Sequence, residues 1–288
     1  MAPTLQFHVI DALSKLFLFL VSLTGKESEG TLVQVNLLGR ILTAVALVLV
    51  EDHKKIGSSI NNDNSVDFDQ RPYYRLLSNI SSHLGVPDPT HDSCNQKPIT
   101  QKILVVFSQL YLALQPSTIP GFAFSWLRLV SHNTFMPHLL LGGSQKNPSG
   151  SQCMHRLLVS LLSFLGPLLK ISPMMEPVRV MYKGTLRVML VLLHDFPDFL
   201  CENHLTLCEF IPNSCIQLRN IIVSAYPRSI RPPDPLNRDL KVIFFTFPIE
   251  YHHLVVILNA KKSTRVSSVH PLVPPTEVLS SRRNFLCT

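Results

Sequence analysis

Apolar residues recur along most of this chain at the spacing of a single helix face. Leu37, Leu38, Ile41, Leu42, Val45, Val48 and Leu49 follow one another at helical intervals, which lines them along one side of a 3.6-residue helix. Leu157, Leu158, Leu161, Leu162, Leu165, Leu168 and Leu169 repeat that spacing, and Ile103, Val106, Phe107, Leu110, Tyr111 and Leu114 make a third stripe. Each stripe is wide, so each predicted helix needs neighbours on its apolar side. The punctuation is helical as well. Pro72 suits a first turn before "YYRLLSNI", Pro116 and Pro120-Gly121 separate two helices, and Pro167 after Gly166 predicts a kink or an end. The polar stretches 57–69 and 142–150 read as loops.

Between residues 5 and 226 this pattern predicts roughly eight to ten helices, with no alternating strand period. The fold class that follows is all-α: an irregular α-solenoid of stacked antiparallel helix pairs, of HEAT or armadillo type. No strict repeat is visible. After about residue 240 the texture changes. "VIFFTFPIEYHHLVVILNA" reads as two short strands, and a poorly ordered or weakly structured tail is expected over 243–288.

Composition sharpens this picture at three points. Hydrophobic residues make up 46% and charged residues 16% of the chain, richer in apolar residues than an ordinary soluble domain. The runs are nevertheless short: Leu16–Leu23 is brief, and Leu37–Val50 carries Arg40 and stops where a span needs about 20 residues. Leu16–Leu23 is therefore expected to be a core helix, and no membrane partner is expected. Six cysteines without a secretory signal predict reduced thiols in a cytoplasmic or nuclear protein. The net charge is +7, but residues 241–288 hold six Lys/Arg against two acids, and no basic run precedes them. Direct nucleic-acid binding is thus not expected, and an RNA-binding helical-repeat protein is the alternative reading.

The segment "GTLRVMLVLLHDFPDFLCENH" (184–204) is the one place where chemistry-bearing residues crowd together. Asp195 and Asp198 around Pro197 read as a capping arrangement at a new helix, which makes the stretch a turn of an αα-hairpin. The rival reading, a metal-dependent enzyme, would draw on His194, Asp195, Cys201 and His204. Cys201, His204, Cys208 and Cys215 lack the paired short knuckles of structural zinc sites, and small cysteines on one helix face commonly fill a core. Ser214 and Gln217 read as a second capping box. No phosphate-loop, dinucleotide, zincin or nucleophile-elbow motif is present. No catalytic residue, metal or cofactor is expected.

Residues 176–235, "EPVRVMYKGTLRVMLVLLHDFPDFLCENHLTLCEFIPNSCIQLRNIIVSAYPRSIRPPDP", closely resemble the C-terminal domain of the Not-one scaffold subunit of the Ccr-four–Not deadenylase complex. "LGRILTAVALVLVEDH" (38–53), "FDQRPYYRLLSNI" (68–80) and "LQPSTIPGFAFSWLRLVSH" (114–132) resemble earlier stretches of the same domain. The resemblance implies a non-catalytic stack of HEAT-like helices over 1–242, an incomplete version of that domain, followed by a dissimilar segment over 243–288. It implies docking of Not-two and Not-three/five subunits and of short peptides from translational repressors, in mRNA deadenylation, decay and translational repression. Partner contacts on a solenoid concentrate in aromatic and arginine anchors. Phe122, Phe124, Trp126, Arg219 and Arg228 are the candidates, with a core role for the aromatics and a plain solvated role for the arginines left open.

Overall fold

A computed structural model describes residues 3–24, 30–58, 68–84, 93–141, 148–227, 242–245 and 255–258. The chain divides into two compact units, Met1–Tyr226 and Pro227–Thr288. Every regular element described in the first unit is helical. In order they are α1 (Pro3–Thr24), α2 (Gly30–Ser58), α3 (Arg71–Leu84), α4 (Ser93–Ala113), α5 (Ala123–Val130), α6 (Met136–Leu141), α7 (Pro148–Leu168), α8 (Glu176–Asp195), α9 (Pro197–Glu209) and α10 (Ile216–Val223). A single 3-10 turn, Pro120–Phe122, leads into α5.

The apolar stripes dictate how these rods stack. In α2, Leu38, Leu42, Val45 and Leu49 are buried; in α7, Leu157, Leu158, Leu161, Leu162 and Leu165 are buried. Because the helices carry wide apolar faces, each settles against two to four neighbours, and the result is two layers. One layer runs α1, α3, α5, α8, α10, each packed on the next. The other runs α2, α4, α7, α9 in the same manner, with α6 wedged against α4 and α7. Across the layers α1 packs on α2, α3 on α4, α8 on α7 and α9, and α10 on α9. Contacts stay between near neighbours in the chain, which is the organisation of an irregular α-solenoid.

Aromatic side chains hold the middle of the stack. Phe107, Tyr111, Phe122, Trp126 and Phe135 are fully buried. Tyr111 meets Phe135 edge-on at 5.0 Å and Phe107 at 6.0 Å between ring centres, separations at which aromatic pairs attract. The Trp126 indole Nε1–H donates to the Tyr111 carbonyl at 2.6 Å. That carbonyl lies at the C-terminal end of α4, where the last carbonyls have no partner within their own helix.

Several sequence expectations change on contact with the structure. α7 begins at Pro148, because proline is tolerated in a first turn; the predicted loop 142–150 is therefore shorter, and 142–147 lie outside the described residues. α2 likewise runs to Ser58, and 59–67 lie outside them. Pro167 occupies the last turn of α7, which ends one residue later at Leu168. Leu16–Leu23 is not the core segment it was expected to be: Val21 is buried, yet Leu16, Phe19, Leu20 and Leu23 are 51, 59, 41 and 46% exposed. The apolar runs are also longer than the sequence reading allowed, since Phe7–Thr24 and Leu32–Lys55 each have the length and composition of a membrane span. In α1, however, Asp11 is bonded to Arg75 and Asn79 of α3, so this helix has a protein neighbour on its polar side.

In the second unit two strands are described, β1 (Val242–Phe245) and β2 (Val255–Leu258). They pair antiparallel, with Val242 opposite Leu258 and Phe245 opposite Val255. Both fall within the stretch that reads as strand-like from its sequence.

Candidate docking surface

The turn at His194–Asp198 joins α8 to α9 through one residue. Phe196 caps both helices, closing α8 with its N–H on the Leu192 carbonyl at 2.8 Å. Asp195 is the last residue of α8 rather than a helix N-cap, and no side chain caps α9. Its carboxylate lies 2.7 Å from Nδ1 of His194, itself well exposed. Asp198 supplies the negative charge in the first turn of α9, where the helix dipole favours it. Cys215 stands at the start of α10 with no side-chain cap, so the Ser214–Gln217 capping box does not form.

The other residues of the metal reading face different tasks. His204 Nδ1 sits 2.7 Å from the Cys201 carbonyl one turn back. Cys201 and Cys208 are half-buried against the core and Cys215 is buried, and burial pushes the Cys208 thiol above its ordinary range. Among the described residues no three His, Cys, Asp or Glu side chains converge on a point where an ion could sit.

The candidate contact residues separate cleanly. Phe122 and Trp126 have no accessible surface; they build the aromatic centre rather than a surface. Phe124 is 37% exposed on α5, and Arg128 follows one turn later, also exposed. Two contacts fix this patch. The Ser125 N–H donates to the Gln70 side-chain carbonyl at 3.1 Å, and the Arg128 guanidinium lies 4.4 Å above the Tyr74 ring of α3, a cation–π geometry. Arg219 is a structural clamp: its Nη1 donates to the carbonyls of Cys208 and Ile211, each at 3.0 Å. It thereby adds to the Cys208 carbonyl, which already accepts from the Ile211 N–H at 3.2 Å, and ties the chain just past the end of α9 to α10. Arg228 lies outside the described residues.

The α8 helix adds to the same layer as α5. A Cβ at Gly184 would stand 2.8 Å from Leu127 Cδ2, so α8 approaches α5 closely. Val180, Leu190 and Val191 are 47, 50 and 42% exposed, and Lys183 and Arg187 are exposed between them. An apolar strip flanked by cations suits an extended polypeptide better than a small molecule. Sequence reasoning passed over this strip because the same letters also carry the core-facing stripe of α8, Val178, Met181, Val188, Met189 and Leu192.

A family model described as "CCR4-Not complex component, Not1" matches residues 89–246. The CCR4-NOT transcription complex subunit let-711 of Caenorhabditis elegans is 36% identical over 241 residues, covering 82% of this chain and 9% of its own length. General negative regulator of transcription subunit 1 is 34% identical over 238 residues in Schizosaccharomyces pombe and 32% over 268 in Saccharomyces cerevisiae, over 10 and 12% of those proteins. The chain thus spans about a tenth of the length of the curated relatives it matches. The NOT1 superfamily homology domain from Chaetomium thermophilum superposes with a TM-score of 0.69 at 29% identity, over 82% of this chain and 42% of that one. A Not1 C-terminal domain in complex with Not4 gives 0.65 at 31%, over 83 and 46%.

Proposed function

From the premise that this chain belongs to the Not1 family of CCR4-Not complex components, we propose that it is a non-catalytic docking platform of that complex. The observation that carries this reading is the shared fold and 31% identity with a Not1 C-terminal domain solved in complex with Not4. On this reading the chain takes extended segments of Not-two, Not-three/five and Not-four subunits and short peptides of translational repressors, and acts in mRNA deadenylation, decay and translational repression in the cytoplasm and nucleus. The surface that supports it is the patch of Phe124, Arg128 and Tyr74 together with the exposed strip of α8. Its aromatic and arginine groups are of the kinds enriched among interface hot spots, and its exposed aliphatic groups add apolar area around them.

The test is calorimetry of the full chain against purified segments of Not-two, Not-three/five and Not-four. Binding to at least one is expected, weakened about tenfold or more by Phe124→Ala, since hot-spot truncations cost about 1–2 kcal/mol or more. A folded chain that binds none of them overturns the reading. Tight, salt-sensitive binding to oligonucleotide instead would favour the RNA-binding alternative.

A further inference from the structure

The outward face of α8 carries its side chains in a fixed order. Val180, Lys183, Arg187, Leu190 and Val191 are all exposed, and their three- and four-residue steps set them along one side of the helix. Two cations therefore lie between an apolar residue at one end and an apolar pair at the other. The strip from Val180 to Val191 is about 17 Å long at the helical rise per residue. α8 is also an inner member of its layer, with α5 on one side and α10 on the other. Helices that lengthen such a stack join it at the ends and leave the outward side of an inner helix open.

Charge in this layer is unbalanced at α8. Among the described residues of α1, α3, α5, α8 and α10 and the approach to α3, every carboxylate is already engaged. Asp11 holds Arg75 at 2.6 Å, Asp69 holds Arg71 at 2.8 Å, Glu176 holds Arg179 at 3.0 Å, and Asp195 sits 2.7 Å from His194. Lys183 and Arg187 have no ion pair among those residues, and Arg128 of α5 lies over the Tyr74 ring rather than against a carboxylate. A second copy of this face would bring like charge to like charge, which disfavours self-pairing. A nucleic-acid backbone would satisfy the cations but set Val180, Leu190 and Val191 against phosphates. An acidic polypeptide with apolar residues suits both kinds of group. Alternate residues of an extended strand face one way about 6.6 Å apart, so four of them cover about 20 Å, close to the length of the strip.

We propose that this face of α8 takes an extended acidic segment in which an apolar residue, two carboxylates and a second apolar residue follow one another at alternate positions. The carboxylates meet Lys183 and Arg187, and the apolar residues cover Val180 and the Leu190–Val191 pair. This rests on the docking platform proposed above and adds the chemistry of the segment it holds. The test is calorimetry of the full chain with the purified segments of Not-two, Not-three/five and Not-four. The double variant Lys183→Glu, Arg187→Glu is expected to bind its segment about tenfold more weakly, with an unchanged circular dichroism spectrum because both side chains are exposed. Wild-type affinity is expected to fall as added salt screens the pairs. Lys102→Glu with Arg156→Glu, exposed cations of α4 and α7 in the other layer, is expected to leave affinity unchanged at the same net charge. Replacing the two carboxylates of the bound segment with lysine is expected to restore binding to the charge-reversed chain. Equal binding by the wild-type and charge-reversed chains overturns the proposal and leaves the docking platform standing, whereas a folded chain that binds no segment overturns both. A chain that takes oligoadenylate through Lys183 and Arg187 and no segment makes nucleic acid the occupant, and also overturns it.

Discussion

Two glycines in the helical stack have the same sequence-level reading and opposite structural meanings. At Gly166 of α7 an added Cβ would overlap the carbonyl oxygen of Phe210, at the end of α9. Backbone cannot turn aside, so the two helices would have to separate. At Gly184 of α8 the nearest atom is the Cδ2 of Leu127, 2.8 Å away and the far end of a side chain rather than backbone. Gly166→Ala is therefore expected to lose about 2–3 kcal/mol of unfolding free energy, the scale of overpacking in a rigid core. In Gly184→Ala the gain of up to about 1 kcal/mol in helix propensity offsets a small repacking cost, so its stability should be nearly unchanged. Urea denaturation followed by circular dichroism separates the two. Equal losses would mean that α8 and α5 meet as tightly as α7 and α9.

Elements are tied together here by a few polar links laid over the apolar stripes, and those links set the pH response. His155 of α7 meets the Thr206 hydroxyl of α9 at 2.8 Å, and burial holds its pKa below the ordinary 6.5. His132, beside α5, is depressed by burial and by Arg128. For both groups the folded pKa is lower than the unfolded one, so stability is full above pH 6.5 and falls as pH drops toward the folded values. Asp11, which joins α1 to α3, is held at about 2 by its hydrogen bond to Arg75 against an ordinary 3.8. Its contribution is present above pH 3.8 and is lost between there and about 2. The urea midpoint is expected to decline in two stages on acidification, with His155→Gln blunting the upper stage and Asp11→Asn the lower. A midpoint indifferent to pH between 7 and 5.5 would contradict the histidine assignment.

At the scale of the whole molecule, the helices were legible in the sequence because their apolar period is a one-dimensional signal. Leu38–Leu49 and Leu157–Leu165 point to their neighbours whatever those neighbours are. The surface was less legible. Trp126 and Phe124 are two residues apart in one helix, yet one is fully buried and the other open; only the stacking of α5 on α3 and α8 distinguishes them. Arg219 reads as a solvated charge until α9 is seen to end beneath it. The outward stripe of α1 was hidden for a similar reason, since a helix apolar on two faces looks like a buried one. The stacking also governs how the fold opens. Each helix touches only its near neighbours, so unfolding can start at an end and spread one element at a time. α4 is held by α2, α3, α6 and α7, and α7 by α4, α6, α8 and α9, whereas among the described residues α10 packs mainly on α8 and α9. Hydrogen exchange should accordingly be slowest at buried amides of α4 and α7, such as Leu104, Phe107, Leu158 and Leu161. It should be fastest in α10. Uniform protection across all the helices would instead mean that the stack opens as one cooperative block.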